Sequence, residues 1–489
     1  MDIVLGKWQP DQGPFNNQGL LVAENALHTP SGWVPFPSPQ VFDPTPLPSR
    51  GYLLRMEKGS TGAIDVLGYA ADEIYSLVPT VVGNPGGWTV RSRASGYTTP
   101  ADGSWRSTSF GNVCVATNYA NEMQRLDIAG GGIFADIPAP APKARYIATV
   151  RSQIMVGDTV DSDDGAVPFR LRWCQWNKPL VWGYDRRYMS DFQDLYDMGN
   201  ITGLTGGAFV VILLEQGLVR GTFVGPPDIY QFDPVQGQRG CLVPQTVIRS
   251  EASTVWWASD GWCSYDGNSV KHIGAGAIDQ WFSDQLDKDN THLMSALADP
   301  QNSRLYWLFC GAGNAGFPNR ILALSTLTGG WSYGNVEADV LGMFGTPGMS
   351  LEDLDVFPTL EDVPGSLDDS AYAGADLRQL AVLSSRGIET LSGLPLVAYF
   401  ETGELAGGRL WVNEAAFQGV ADRSAVGLRI GKRDEPSQAI SWSPFYVPQR
   451  SGLIKPRREG RNVRFGLQLD EKWLAAQAIT INPSIKGSR

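Results

Sequence analysis

The chain has 489 residues, 43% hydrophobic and 18% charged, with 56 glycines, 32 prolines, 16 tryptophans and a formal net charge of -12. Few charges and many turn-formers and aromatics predict short strands joined by tight turns, which excludes a helical bundle. The acidic balance argues against plain affinity for nucleic acid, which calls for a basic face, and the longest apolar run, 208–214, is too short to span a bilayer.

The opening MDIVLGKWQP lacks the basic-then-apolar arrangement of a secretion signal, so a soluble protein made in a cytosol is expected. Cys114, Cys174, Cys241, Cys263 and Cys310 are odd in number and scattered without a C-x-x-C pair. They are expected as small buried hydrophobes, not as a disulfide framework or a zinc site.

Residues 1–50 hold nine prolines and little helical periodicity, and are expected to form an extended N-terminal arm across the body or a neighbouring subunit. From Gly51 a loose repeat follows: a strand-like run, a turn, a second strand with an aromatic, and a Gly or Asp-Gly closure. Its units begin near Gly51, Asp102, Ala144, Asn200, Val243 and Ala296, at intervals of 42 to 56 residues. That spacing suits four-stranded blades, so residues 51–350 are expected to form a β-propeller-like body with blades of roughly 40–50 residues. Trp256 and Trp257 are adjacent in one predicted strand and must point to opposite faces, so at least one is expected to be buried between sheets. The segment AIDQWFSDQL, 277–286, spaces Ile278, Trp281, Phe282 and Leu286 as one short amphipathic helix outside the blades.

Between Leu351 and Asp376 the chain carries eight acids and no base. Residues 351–392 are therefore expected to comprise an acidic loop or insertion and the last propeller strands, with Glu352, Asp353, Asp355, Glu361, Asp362, Asp368 and Asp369 as candidate channel-lining or docking side chains. After Gly393 well-separated strands such as LPLVAYFETGEL, SAVGLRIGKR and NVRFGLQLDE predict a C-terminal β-sandwich domain over 393–489. From Glu404 to Arg489 there are 14 basic and 8 acidic residues, so this end is +6 and the rest is -18. Arg457, Arg458, Arg461 and Arg464 are the candidate basic face toward a neighbouring subunit. The fold class expected is all-β.

Patterns that carry chemistry are sparse. The three histidines, His28, His272 and His292, stand at no metal spacing, and there is no phosphate-binding glycine loop. Gly330 to Gly334 spells G-x-S-x-G, but a nucleophile elbow needs a strand turning into a helix and a later histidine, and none follows Ser332. The run DTVDSDDG, 158–165, lacks the alternation and terminal Glu of a calcium loop and is expected as an acidic turn. Ser259, Asp260, Gly261 and Trp262 only superficially match the Asp-box of sialidases. The chain is thus not expected to be an enzyme: no catalytic, cofactor-binding or metal-ligating residue stands out, and no cofactor is expected.

The phrase WQPDQGPFNNQGLLVAENALHTPSGWVPFPS contains P-D-x-x-x-x-x-N-x-G-x-x-x-A-x-N, followed by G-W-V-P-F with Trp33 at the aromatic place. After it come, in order, FGNVCVATNYANEMQRLDI, RLRWCQWNKPLVW, SDFQDLYDMGNITGLTGGAFVVILLEQGLVRGTFVGPPDIYQFD, RGCLVPQTVI and WWASDGWCSYDGNSVKHIGAGAIDQWF. In this order, over most of residues 1–335, they resemble the tail hub or nozzle (tail tube) proteins of short-tailed bacteriophages and related tailed phages. Beyond about Val340 the resemblance thins. It implies a structural virion protein, located in the phage tail and made in the host cytoplasm. Its implied assembly is a homo-hexameric ring around a central channel for DNA ejection, placed below the head-to-tail adaptor protein and contacting tail fibres or a tail needle, with no membrane insertion. A net negative or neutral channel suits that passage, since each phosphate paired with a fixed cation would hold the DNA. Two other classes stay open: a carbohydrate-binding or carbohydrate-cleaving propeller, and a stand-alone interaction propeller.

Overall fold

The computed structural model describes the chain except for residues 16, 59–63, 79–86, 129, 236–238, 251–252, 315, 345–358, 360–378 and 487–489. Its repeating unit is a local antiparallel meander, and the residues 248–272 show how the sequence builds one. Thr254–Ala258 pairs with Gly261–Tyr265 across the two-residue loop Ser259–Asp260, setting Trp257 opposite Trp262. Gly261 has φ +132°, and a Cβ there would run into the Asp279 carboxylate, so only glycine suits the turn. Ile248–Arg249 and Val270–His272 complete a four-stranded sheet.

Six such four-stranded sheets stand alone, and a further meander of the same kind, Ser295–Asp299 to Trp331–Asn335, forms one end of a 15-stranded sheet. Numbered along the chain, the meanders open with Leu53–Lys58, Arg106–Phe110, Lys143–Val150, Ile201–Thr205, Ile248–Arg249, Ser295–Asp299 and Val340–Phe344. The first six openings fall within five residues of the repeat starts read from the sequence.

Each sheet packs face to face on the next, and the last returns to the first, which makes the arrangement a β-propeller. Leu67 and Tyr69 of blade 1 share a core with Cys114 and Leu126 of blade 2, and Val115 of blade 2 with Ile154 and Val156 of blade 3. Trp173 packs with Val210 and Ile212 of blade 4, Val211 and Leu213 with Trp256 and Cys263 of blade 5, and Trp257 and Trp262 with Trp307 of blade 6. Tyr306 and Ile321 then meet Leu341 and Val382 of blade 7, while Ala381 and Ile388 pack on Leu54 and Val66 of blade 1. The unbroken apolar run at 208–214 follows from this geometry: the strand Val210–Leu214 is covered on both faces, so every position is apolar. Trp256 and Trp257 likewise enter two different inter-blade cores, and both are buried.

The proline-rich N-terminal segment is paired with the body of its own chain. Asp2–Val4 pairs with Trp473–Lys486, Leu20–Glu24 lies between Trp331–Asn335 and Ala398–Thr402, and Trp33 is bridged to Ala476. Pro37–Asp43 is the fourth strand of blade 7, paired with Gly387–Pro395, so the two ends of the propeller are joined by hydrogen bonds. The prolines are compatible with this because a strand that closes a blade has one free edge and needs only half its N–H groups paired.

The C-terminal strands from Ala398–Thr402 to Trp473–Lys486 form the larger sheet, but not by themselves: N-terminal strands enter it, and it continues into blade 6. Its apolar side chains, among them Val412, Leu428, Phe465 and Ile479, share a core with Trp8, Trp33 and Trp331. Between blades 5 and 6 the helix Asp279–Gln285 buries Phe282, flanked by buried Ile278 and Leu286, which is the apolar stripe read from 277–286. No helix among the described residues is long and apolar enough to cross a membrane.

Candidate functional site

Glu352, Asp353, Asp355, Glu361, Asp362, Asp368 and Asp369 lie outside the described residues. The sequence positions them between the first strand of blade 7, Val340–Phe344, and the second, Gln379–Ser384.

The four arginines do not form one available face. Arg464 Nη2 lies 2.7 Å from Glu404, whose other cation is Arg433 at 2.7 Å, and Arg464 Nη1 lies 2.7 Å from Glu401. Glu404 is almost fully buried, so this cluster serves the fold: removing a cation would leave a desolvated carboxylate underpaired. Arg458 donates to the Tyr446 hydroxyl at 3.2 Å. Arg457 and Arg461 are the two exposed members.

The acidic run 158–165 is the hairpin between Gln153–Asp161 and Gly165–Trp173, and arginines supply its cations. Arg170 reaches Asp161 at 3.1 Å and Asp194 through two bonds of 2.7 and 2.9 Å, and it also pairs with Asp164. Arg172 pairs with Asp161 from the other side. Among the described residues no group of three or more His, Cys, Asp or Glu is placed to hold a metal ion.

Ser332 of the G-x-S-x-G match lies inside the strand Trp331–Asn335, buried, its hydroxyl accepting the His28 backbone N–H at 2.9 Å. No elbow is present there. All five cysteines are free and buried. Burial pushes the thiols of Cys174, Cys241 and Cys263 up to about 12 and Cys310 up to about 11, so none is a ready thiolate near neutral pH.

The propeller axis holds a feature that no local pattern announced. The opening strands of the blades approach one another around the axis: Thr108 and Thr149 hydroxyls meet at 2.7 Å, and Ser295 Oγ accepts the Leu341 N–H at 3.0 Å. Arg106 opens blade 2, and its Nη2 donates to Gln245 Oε1 at 2.9 Å and to Pro244 O at 3.2 Å, in the turn leading into blade 5. Blades 2 and 5 are as far apart as two members of this ring can be, so the side chain spans the tunnel. Burial holds the Arg106 guanidinium below its ordinary value, with the Tyr146 ring 5.0 Å away opposing that shift.

No protein-family model matches the chain, and no curated protein does. Among solved structures it is similar to the computationally designed Ika8 protein, at 13% identity and TM-score 0.38 over 72% of this chain and 99% of that one. It is also similar to the Pan2 WD40 domain of Neurospora crassa, at 7% identity and TM-score 0.37 over 69% and 88%. The N-terminal domain of Nup159 matches at 8% identity and TM-score 0.39 over 75% and 97%. Such low scores carry no argument about function, and the propeller assignment rests on the sheet order and the inter-blade cores.

Proposed function

We propose that the chain is a structural protein of a bacteriophage tail, a hub or nozzle subunit without catalytic activity. In this reading it assembles as a homo-hexameric ring, binds the head-to-tail adaptor and the fibres or needle, and lets DNA pass during ejection. The observation that carries the reading is the order of the resembling phrases over residues 1–335. The architecture supports it in a general way: a propeller closed by its own N-terminal strand and joined to a large sheet is a rigid body suited to a ring. Because Arg106 crosses the propeller's own tunnel, the DNA channel in this reading lies between subunits. Acidic surfaces toward that channel would keep phosphates from dwelling. Arg457 and Arg461, exposed and without an ion-pair partner among the described residues, are the cations that meet an acidic neighbour in this reading. Electron microscopy and mass photometry of the purified chain test the reading. Closed rings of six times the 53.1 kDa subunit mass are expected, and a monomer at micromolar concentration, alone and with the adaptor added, would overturn it.

A further inference from the structure

A groove of about 800 Å³ lies where the outer parts of blades 3 and 4 meet, a volume in the range of small-ligand sites. Its floor is aromatic. Trp173 and Tyr230 are buried with ring centroids 5.3 Å apart, and Phe232 lies 6.0 Å from Trp173. The Trp173 indole N–H is buried and has no acceptor among the described residues. Trp262 and Trp473 share that lack, but only Trp173 lines the groove. A buried donor without a partner is uncommon.

Tyr196 on the rim is 69% exposed yet fixed from two sides. Its ring lies 4.7 Å from Phe169. Its hydroxyl donates to Asp194 Oδ2 at 3.0 Å, and Asp194 is itself gripped by Arg170 through two bonds. An exposed aromatic held in this way offers a flat face whose ordering cost is already met. The charged lining is acidic: Asp191, Asp194, Asp197 and Asp228 against Arg186, which is engaged by Asp191 at 2.8 Å. Asp197 and Asp228 are exposed, and their carboxylates have no ion-pair or hydrogen-bond partner among the described residues.

We infer that this groove binds an uncharged oligosaccharide. The apolar C–H face of a sugar ring stacks on Tyr196, and its hydroxyls donate to the Asp197 and Asp228 carboxylates. The carboxylates repel phosphate and sulfate, which separates this ligand from nucleic acid and from anionic glycans. Asp194, gripped by Arg170 through two bonds, is an acceptor in this site and not a general acid. The inference is independent of the tail-ring reading.

Titration calorimetry and tryptophan fluorescence of the full chain, with short uncharged oligomers of glucose, mannose, galactose and N-acetylglucosamine, test it. Heparin fragments and single-stranded DNA serve as anionic controls. Saturable binding of at least one uncharged oligomer is expected. Tyr196→Ala and Asp228→Asn, both at exposed positions, should weaken it at least about tenfold while each variant keeps the cooperative melting of the wild type. No binding of any uncharged oligomer, equal affinity in Tyr196→Ala and Asp228→Asn, or preferential uptake of the anionic controls would overturn the inference.

Discussion

Deleting residues 1–50 distinguishes a strap that grips a neighbour from a segment that completes its own fold. The structure places Leu5, Trp8, Leu20, Leu27, Trp33, Phe36 and Leu47 in the core, all at most 9% exposed. At roughly 1.5–3 kcal/mol for each large apolar side chain buried, these seven contribute about 10–20 kcal/mol. That matches or exceeds the whole net stability of an ordinary domain, about 5–15 kcal/mol. The deletion also strips blade 7 of its fourth strand and exposes the edges of Gly387–Pro395 and Trp473–Lys486. The truncated chain is therefore expected to aggregate or to lose its cooperative transition, seen by circular dichroism, calorimetry and proteolysis of the soluble fraction. A milder probe is Trp33→Ala. This loses a buried ring whose Nε1 donates to Leu5 O at 3.1 Å and should cost about 3–5 kcal/mol. A truncated protein that melts cooperatively near the wild-type temperature and fails only in assembly would refute the reasoning and restore the inter-subunit strap.

Trp256→Ala and Trp257→Ala empty two different inter-blade cores, so each should destabilise by about 3–5 kcal/mol in urea unfolding; a neutral result for either would place that ring outside the core. Arg106→Met leaves Pro244 O and Gln245 Oε1 without their donor in the tunnel and should cost about 1–3 kcal/mol, read from the denaturation midpoint, whereas no shift would mean that the axial bridge is not formed. Gly261→Ala combines a disfavoured positive φ with collision against Asp279 and is expected to lose at least about 1–3 kcal/mol in thermal melts; wild-type stability would contradict the turn geometry. Burial raises the Asp194 pKa, but the Arg170 and Tyr196 hydrogen bonds outweigh it and hold the carboxyl below its ordinary value. A depressed folded-state pKa gives stability that is present above the unfolded value and lost as pH falls through the folded one. The gap between wild type and Asp194→Asn should therefore be full at neutral pH and shrink below about pH 4, and a gap independent of pH would exclude the ion pair as its source.

The blade period was legible because each blade is built from contacts within about fifty residues of sequence, where turn chemistry and strand pattern act locally. Gly261, the Trp256–Trp257 pair and the helical stripe at 278, 281, 282 and 286 all belong to that class. Blade 7 escaped the repeat because its first two strands are separated by 345–378 and its fourth comes from residues 37–43, at the other end of the chain. For the same reason the N-terminal segment read only as an extended arm across the body or a neighbour: proline content reveals that a stretch is extended, not which strand it will lie beside. The groove of blades 3 and 4 and the Arg106 bridge to Gln245, 139 residues away, were equally invisible, since a lone arginine or an exposed tyrosine has no pattern. Strand pairs within a blade are selected by neighbours along the chain. Closure of the ring and the residues that face each other across it are selected by burial of surfaces that meet only once every blade has formed.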